Sequence, residues 1–357
     1  MKLSQYSSVI QKNINIHIPQ LFTGPLLLHV DITNRCNLRC MHCDVWKFKV
    51  KKDLNYQVFT KCIDDSHRLG LRFIAISGGE PLLHKDIFKF IYYLKKKGIY
   101  INVSTNGILL NNSIISFFKK VKLDSITVSM ESINKKYDLL RGTKSNFPKL
   151  LKNVRELIRN KMDLHVGICI TDKNFMDLPD ILEFLKKEGI EKIYFYPFYF
   201  SPRNVNKNHS LYKKMHKNGK VFTDAEVETY RNVVQLIIKK YAIDFISKRI
   251  LQKSISYFNG EEVPLIELPC YAPLFSAVIG FDGEVSPCWY STKALGNIHT
   301  DSFEKIWYSK DFVKIREYIR NKKCYLTNKN CLITHRIISA RLDLLYILKI
   351  YLSTFLR

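Results

Sequence analysis

Six short apolar runs, mostly separated by stretches of helical period, occupy the first half of this chain. The runs cover 26–32, 72–77, 100–104, 125–130, 164–170 and 192–197, with helix-period segments at 87–97, 114–120, 148–159 and 178–188 between them. Gly98 and Gly189 follow two of those helical segments, where a left-handed C-terminal cap belongs. Strand and helix in alternation is the pattern of a parallel sheet wound with crossover helices, an α/β fold. Six units fall short of a closed eight-stranded barrel. The expected architecture is therefore an open, partial (β/α)6 barrel, with its chemistry at the carboxyl ends of the strands.

The rest of the chain divides by composition. Residues 1–25 read as a short leader and 26–200 as the partial-barrel core. Residues 201–259 form a basic linker or flap followed by a long helix. That helix opens with the capping box Thr223-Asp224-Ala225-Glu226 and is expected to run through about Ile250. Residues 260–335 are rich in Cys and turns, with little room for a core, so a metal is expected to hold them. Residues 336–357 read as a C-terminal apolar helix. Within it Arg341, Asp343 and Lys349 interrupt the apolar run, which is too short to span a membrane. It either packs on the barrel or a second subunit, or makes shallow peripheral contact with a membrane through 337–357.

Of the 357 residues, 46% are hydrophobic and 25% charged, which supports a sizeable core and excludes general disorder. Lys and Arg number 57 against 32 Asp and Glu, a net charge of +25. That excess suits an anionic partner, or is simply a solvated Lys-rich surface. The basic residues are scattered and no nucleic-acid-binding motif appears, which weighs against a nucleic-acid partner. No apolar segment with a small-residue cleavage site opens the chain. Export is not expected, and the protein is placed in the cytoplasm, at most peripheral to the inner face of the membrane.

Reduced Cys in such a compartment serve as metal ligands, catalytic groups or core residues. Cys36, Cys40 and Cys43 space their thiols C-x3-C-x2-C just after the first strand. Three thiolates are incomplete for structural zinc but suit a 4Fe–4S cluster with one iron left open. The alternatives are a zinc knuckle completed by a distant His, or three incidental thiols. Cys270, Cys288, Cys324 and Cys331 offer four thiols, enough for a second 4Fe–4S cluster or one zinc. Asp282-Gly283 reads as a hairpin turn that puts Cys288 on the return strand. Cys62 and Cys169 read as small buried hydrophobes. His84 is a weak candidate for a substrate contact.

With these residues in view, the chain resembles the radical S-adenosylmethionine superfamily over about residues 26–197. The resemblance rests on the cysteine loop, on Ser77-Gly78-Gly79-Glu80-Pro81, on Ser104-Thr105-Asn106-Gly107, on Ser129 and on Leu140-Arg141-Gly142. It implies that Cys36, Cys40 and Cys43 hold a 4Fe–4S cluster whose open iron is chelated by S-adenosylmethionine. His42 would pack on the adenine side. Gly78, Gly79 and Glu80 would meet the methionyl amino group, the glycines letting backbone approach the ligand. Asn106 would wall the ribose, Ser129 would bond the ribose or carboxylate, and Arg141 would pair with the carboxylate. Glu131 stands where Asp is more usual, a change that bears on how ribose or substrate is held.

The segment 260–335 resembles the SPASM and twitch domains appended to many members, with its four Cys matching the single-cluster twitch type. Its Cys324–Cys331 spacing is looser than the usual C-x2-C. The resemblance implies reductive cleavage of S-adenosylmethionine to a 5′-deoxyadenosyl radical, followed by hydrogen abstraction from a peptide or small polar metabolite. The auxiliary cluster would accept an electron, and flavodoxin or ferredoxin would supply the first one. The residues identify no general base. Readings from other classes are a non-catalytic iron–sulfur electron-transfer or sensor protein and a nucleic-acid-modifying radical enzyme.

Overall fold

The computed structural model describes residues 24–198, 220–261, 270, 272–289, 291 and 293–321. Most of the expected leader and the 201–219 part of the expected flap lie outside the described residues. So do Cys324, Cys331 and the apolar segment 336–357. No helix among the described residues is long and apolar enough to cross a membrane.

Six parallel strands lie side by side in sequence order. They are β1 (Leu27–Asp31), β2 (Phe73–Ser77), β3 (Tyr100–Thr105), β4 (Ser125–Ser129), β5 (Leu164–Ile170) and β6 (Ile193–Pro197). The crossovers carry α1 (Tyr56–Arg68), α2 (Ile87–Lys96), α3 (Asn112–Lys120), α4 (Asn134–Arg141), α5 (Phe147–Arg159) and α6 (Leu178–Lys187). All six strands fall on the expected apolar runs. Helix α1 covers the stretch around Cys62, which the sequence reads as helical, and α4 has no counterpart among the expected helical segments. Gly98 and Gly189 do adopt positive φ, 69° and 76°.

Side chains alternate across a strand, and here the two faces differ in kind. Leu28, Val30, Ile74, Ile76, Ile101, Val103, Val128 and Val166 are buried in the helix-side core. The opposite face carries Asp31, Ser77, Asn102, Ser104 and Thr127. Asn102 Nδ2 donates to Ser125 Oγ (2.8 Å) and Thr127 Oγ1 (3.0 Å), and Ser77 Oγ donates to Asp31 Oδ1 (2.5 Å). A closed barrel fills its interior with layers of branched apolar residues. In this sheet Leu27, Phe73, Ala75 and Tyr100 occupy the amino end of that face, and its carboxyl-end part is polar.

Strand β6 does not pair with β1. The other neighbour of β1 is a strand from the cysteine-rich segment. After α7 (Asp224–Lys240), α8 (Phe245–Phe258) and α9 (Ala272–Phe275), β7 (Ser276–Ile279) joins β1 in parallel, Leu27 opposite Ser276. Strands β8 (Glu284–Ser286) and β9 (Gly296–Asn297) extend the sheet antiparallel, before α10 (Phe303–Trp307) and α11 (Lys310–Arg320). Asp282-Gly283 makes the expected turn, Gly283 at φ 81°. A Cβ there would sit 2.4 Å from the His299 ring. The segment also shares the main core: Phe303, Trp307 and Phe312 belong to the same buried cluster as Leu28 and Phe59. Asp65 Oδ2 on α1 accepts the Phe303 amide at 3.2 Å.

The long helix expected through Ile250 is two helices. Its capping box is present, Thr223 accepting from the Glu226 amide while Glu226 accepts from Thr223. The chain turns extended at Tyr241, and Asp244 restarts it by accepting from the Ile246 and Ser247 amides.

Phe90 on α2 is fully buried among Phe59, His84 and Tyr56, with ring centroids at 4.3, 4.8 and 5.5 Å. Phe90→Ala should cost about 3–5 kcal/mol, read as a lower denaturant midpoint. A loss below about 0.5 kcal/mol, typical of surface sites, would contradict this packing.

Candidate functional site

The cysteine loop leaves the carboxyl end of β1 and is pinned where it leaves and returns. Thr33 bridges Asp53, and its hydroxyl donates to Asp53 Oδ1 at 2.6 Å. Arg35 also holds Asp53, through Nε (3.1 Å) and an Nη2 ion pair. Asn34 accepts the Lys52 amide at 2.8 Å and donates to Val50 O at 2.9 Å. Inside the loop Leu38 and Cys40 are buried. The Arg39 and Met41 amides donate to the carbonyls of Arg141 (3.1 Å) and Leu140 (2.9 Å), docking the loop on the end of α4. Gly142 makes that approach possible. It caps α4 at φ 62°, and a Cβ there would lie 2.4 Å from Arg39 O.

The Gly78-Gly79-Glu80 turn follows β2 and lies against residues 33–35. Gly79 N donates to Thr33 O and Glu80 N to Arg35 O, both at 2.7 Å. A Cβ on Gly78 would come within 2.4 Å of Thr33 O, and one on Gly79 within 2.1 Å of Arg35 O. The glycines are thus already required by contact between two protein backbones.

Glu80 is fully buried and its carboxylate is engaged within the protein. It accepts from the Leu82 amide (3.1 Å), Thr105 Oγ1 (2.7 Å) and the Asn106 amide (2.8 Å). Burial raises its pKa while those donors oppose the rise. Asn106 donates through Nδ2 to Asn37 Oδ1 (2.8 Å) and accepts the Ile108 amide (3.0 Å). Glu80 and Asn106 therefore tie the ends of β2 and β3 to the cysteine loop. Sequence reasoning missed this linking role. Ser129 stands half-buried at the carboxyl end of β4. His84, by contrast, uses both ring nitrogens internally, with Leu54 O and the Asp86 amide each 3.0 Å away.

Arg141 is buried, ion-paired with Glu131, with Nη1 3.5 Å from Cys40 Sγ. His42 Nε2 lies 3.8 Å from the other Glu131 oxygen. Glu131, flagged in the sequence only as a departure, is the hub of this group.

Burial pushes the Cys36 thiol up to about 11 and the Cys43 thiol up to about 12. It raises Cys40 too, with Arg141 opposing. Thiols in such surroundings become thiolates only when positive charge is placed among them, which a metal centre does. Among the described residues no three His, Cys, Asp or Glu converge on one metal ion. A 4Fe–4S cluster attaches each thiolate to a different iron, and three thiols on one loop are the donor type it takes. Cys169 on β5 shares this neighbourhood, its electrostatic surroundings including Glu131, Arg141, Cys43 and Cys40.

Cys288 lies at the other end of the sheet. Ser286 on β8 pairs with Val278, so Cys288, two residues on, returns towards the level of Ser276 and the amino end of β1. Trp289 reaches back to His29 on β1, ring centroids 5.7 Å apart.

Gly142→Ala places a Cβ against Arg39 O. It should sharply lower the iron bound after anaerobic reconstitution while far-UV circular dichroism is retained. Full iron content would show that the loop does not depend on this docking.

A model of the radical SAM superfamily matches residues 30–185, and an iron–sulfur cluster-binding domain model, SPASM, matches 270–332. The Fe-coproporphyrin III synthase of Methanosarcina barkeri is 29% identical over 212 residues, 59% of this chain and 50% of that protein. The chain thus spans half the length of that relative. The tungsten-containing aldehyde ferredoxin oxidoreductase cofactor-modifying protein of Pyrococcus furiosus is 25% identical over 323 residues, 82% of this chain and 84% of that protein. Streptococcus suis SuiB, solved with S-adenosylmethionine, superposes with a TM-score of 0.62 at 15% identity, covering 94% of this chain and 78% of SuiB. At that identity the likeness is one of fold. The chain belongs to the radical SAM superfamily with a C-terminal SPASM domain, and its cofactors are S-adenosylmethionine, the 4Fe–4S cluster that binds it and auxiliary iron–sulfur.

Proposed function

We propose that this protein is a radical SAM enzyme of the maturase type that modifies a peptide or small polar metabolite by hydrogen abstraction. The observation carrying the reading is the convergence of the cysteine loop, the Gly78–Glu80 turn and the Thr105–Gly107 turn at the carboxyl ends of β1, β2 and β3. Cys36, Cys40 and Cys43 would hold the first cluster. The bound cluster and S-adenosylmethionine supply a radical able to take hydrogen from an unactivated C–H bond.

The chain's own residues bind and orient. The carbonyls of Gly78 and Gly79 suit a methionyl ammonium, while Glu80 and Asn106 hold the walls in place. The Ser129 hydroxyl suits a ribose or carboxylate, and His42 sits on the loop for the adenine side. Arg141, expected at the carboxylate, is ion-paired with Glu131 and presents Nη1 to Cys40 Sγ. Cys270 and Cys288, with Cys324 and Cys331, would hold the auxiliary cluster.

A polar substrate is supported by the polar sheet face of Asp31, Ser77, Asn102, Ser104 and Thr127. It is also supported by a relative named for subtilosin biosynthesis, AlbA of Bacillus subtilis, 24% identical over 294 residues, 81% of this chain and 60% of AlbA. We further propose that β1–β6 curve as a partial barrel and that the working units are 26–200 and 260–335, joined by 201–259. The setting would be the reducing cytoplasm, with flavodoxin or ferredoxin as donor.

Anaerobic reconstitution should give about eight irons per chain, four per cluster, and 5′-deoxyadenosine on reduction. Replacing Cys36, Cys40 and Cys43 with Ala should abolish that product, and retained product would sink the assignment. Iron at full content without 5′-deoxyadenosine would favour an electron-transfer protein. Loss of Cys270 and Cys288 should remove about half the iron, and no loss would sink the auxiliary-cluster claim.

A further inference from the structure

Arg141 is committed inside the protein. Its guanidinium is ion-paired with Glu131, presents Nη1 to Cys40 Sγ at 3.5 Å and lies 5.6 Å from the centre of the Tyr137 ring. Arg141 and Glu131 are 5% and 4% exposed, so water screens neither charge as it would a surface pair. His42 Nε2 lies 3.8 Å from the carboxylate, and among the described residues Tyr137, Cys40 and Cys169 also lie within its electrostatic reach.

We propose that Arg141 is a positioning residue that sets the reduction potential of the cluster on Cys36, Cys40 and Cys43, with Glu131 as its counterweight. The proposal rests on the ligation argued above and goes beyond it. Reduction adds one electron and no proton, so negative charge grows on the cluster and its thiolates. A cation and an N–H donor beside Cys40 stabilise the reduced form more than the oxidised form and raise the potential. The Glu131 carboxylate, held by Nη2 while Nη1 faces the sulfur, opposes that effect. The pair thus acts as a dipole with its positive end on the sulfur.

Two single variants separate this from a structural role, because they move the potential in opposite directions. Arg141→Met leaves Glu131 uncompensated and lowers it. Glu131→Gln leaves the cation unopposed and raises it. Each shift should reach tenfold in the reduction equilibrium, about 59 mV for a one-electron couple. The readout is an EPR-monitored redox titration of the full reconstituted chain, following the signal that changes on adding S-adenosylmethionine.

The double variant R141M/E131Q strands no buried charge and should fold, titrating between the wild type and R141M. If R141M does not fold, E131Q and the double variant decide. Shifts of the same sign, or wild-type potentials in E131Q and the double variant, overturn the proposal. A wild-type chain that assembles no such cluster overturns the ligation reading instead, which the iron content reports separately.

Discussion

Two backbone hydrogen bonds hold the site together. The Arg39 and Met41 amides donate to the last carbonyls of α4, and these are groups a helix end leaves without partners of its own. One pairing therefore satisfies the helix terminus and fixes the middle of the cysteine loop. Everything chemical follows from that placement. It carries Cys40 into the core beside the Arg141 side chain, and it forces Gly142 to be glycine. It also sets the loop against the turns that follow β2 and β3. A loop spanning 33–53 would otherwise lose considerable conformational entropy on ordering. Here Thr33, Asn34 and Arg35 close its base on Val50, Lys52 and Asp53 before the thiols are placed.

The strands were legible because their signal is local. Runs such as 125–130 and 164–170 are buried on the helix side, and apolar length with turn punctuation marks them whatever they pair with. The partner choice of β1 was not legible. Ser276–Ile279 is too short to announce that it would dock on Leu27–Val30 in parallel, since that pairing links residues about 250 apart. The break after Lys240 was missed for a related reason. Tyr241–Asp244 contains no Gly or Pro, and the interruption shows only in the extended Tyr241 and in the cap that Asp244 supplies.

The candidate site was legible as a set of residue types and not as a network. The Cys spacing and the glycine turn name their residues by short-range pattern. The links among them are long-range: Glu80 to Thr105 and Asn106, Asn106 to Asn37, and Arg141 to Glu131 and Cys40. A motif assigns Glu80 and Arg141 to a ligand because carboxylates and guanidinia usually mark ligand contacts. The fold shows the competing use. Arg141 is ion-paired with Glu131, and breaking a buried pair costs about 3–5 kcal/mol, while Glu80 is held by hydrogen bonds from Leu82, Thr105 and Asn106.

The same accounting explains why part of one sheet face stays polar. The helix-side face is covered by α1–α6 and reads almost wholly Val, Ile and Leu. On the opposite face the Asn, Ser, Thr and Asp side chains bond across neighbouring strands, which covers part of their hydrogen-bonding need without water. The cysteine loop stands at one end of this face, and Cys288 with Trp289 returns to the other. His29, on the same side of β1 as Asp31, meets Trp289 there. The extension of the sheet by β7 and the reversal at Asp282-Gly283 therefore do more than add strands. They carry Cys288 away from the cysteine loop by the length of β1.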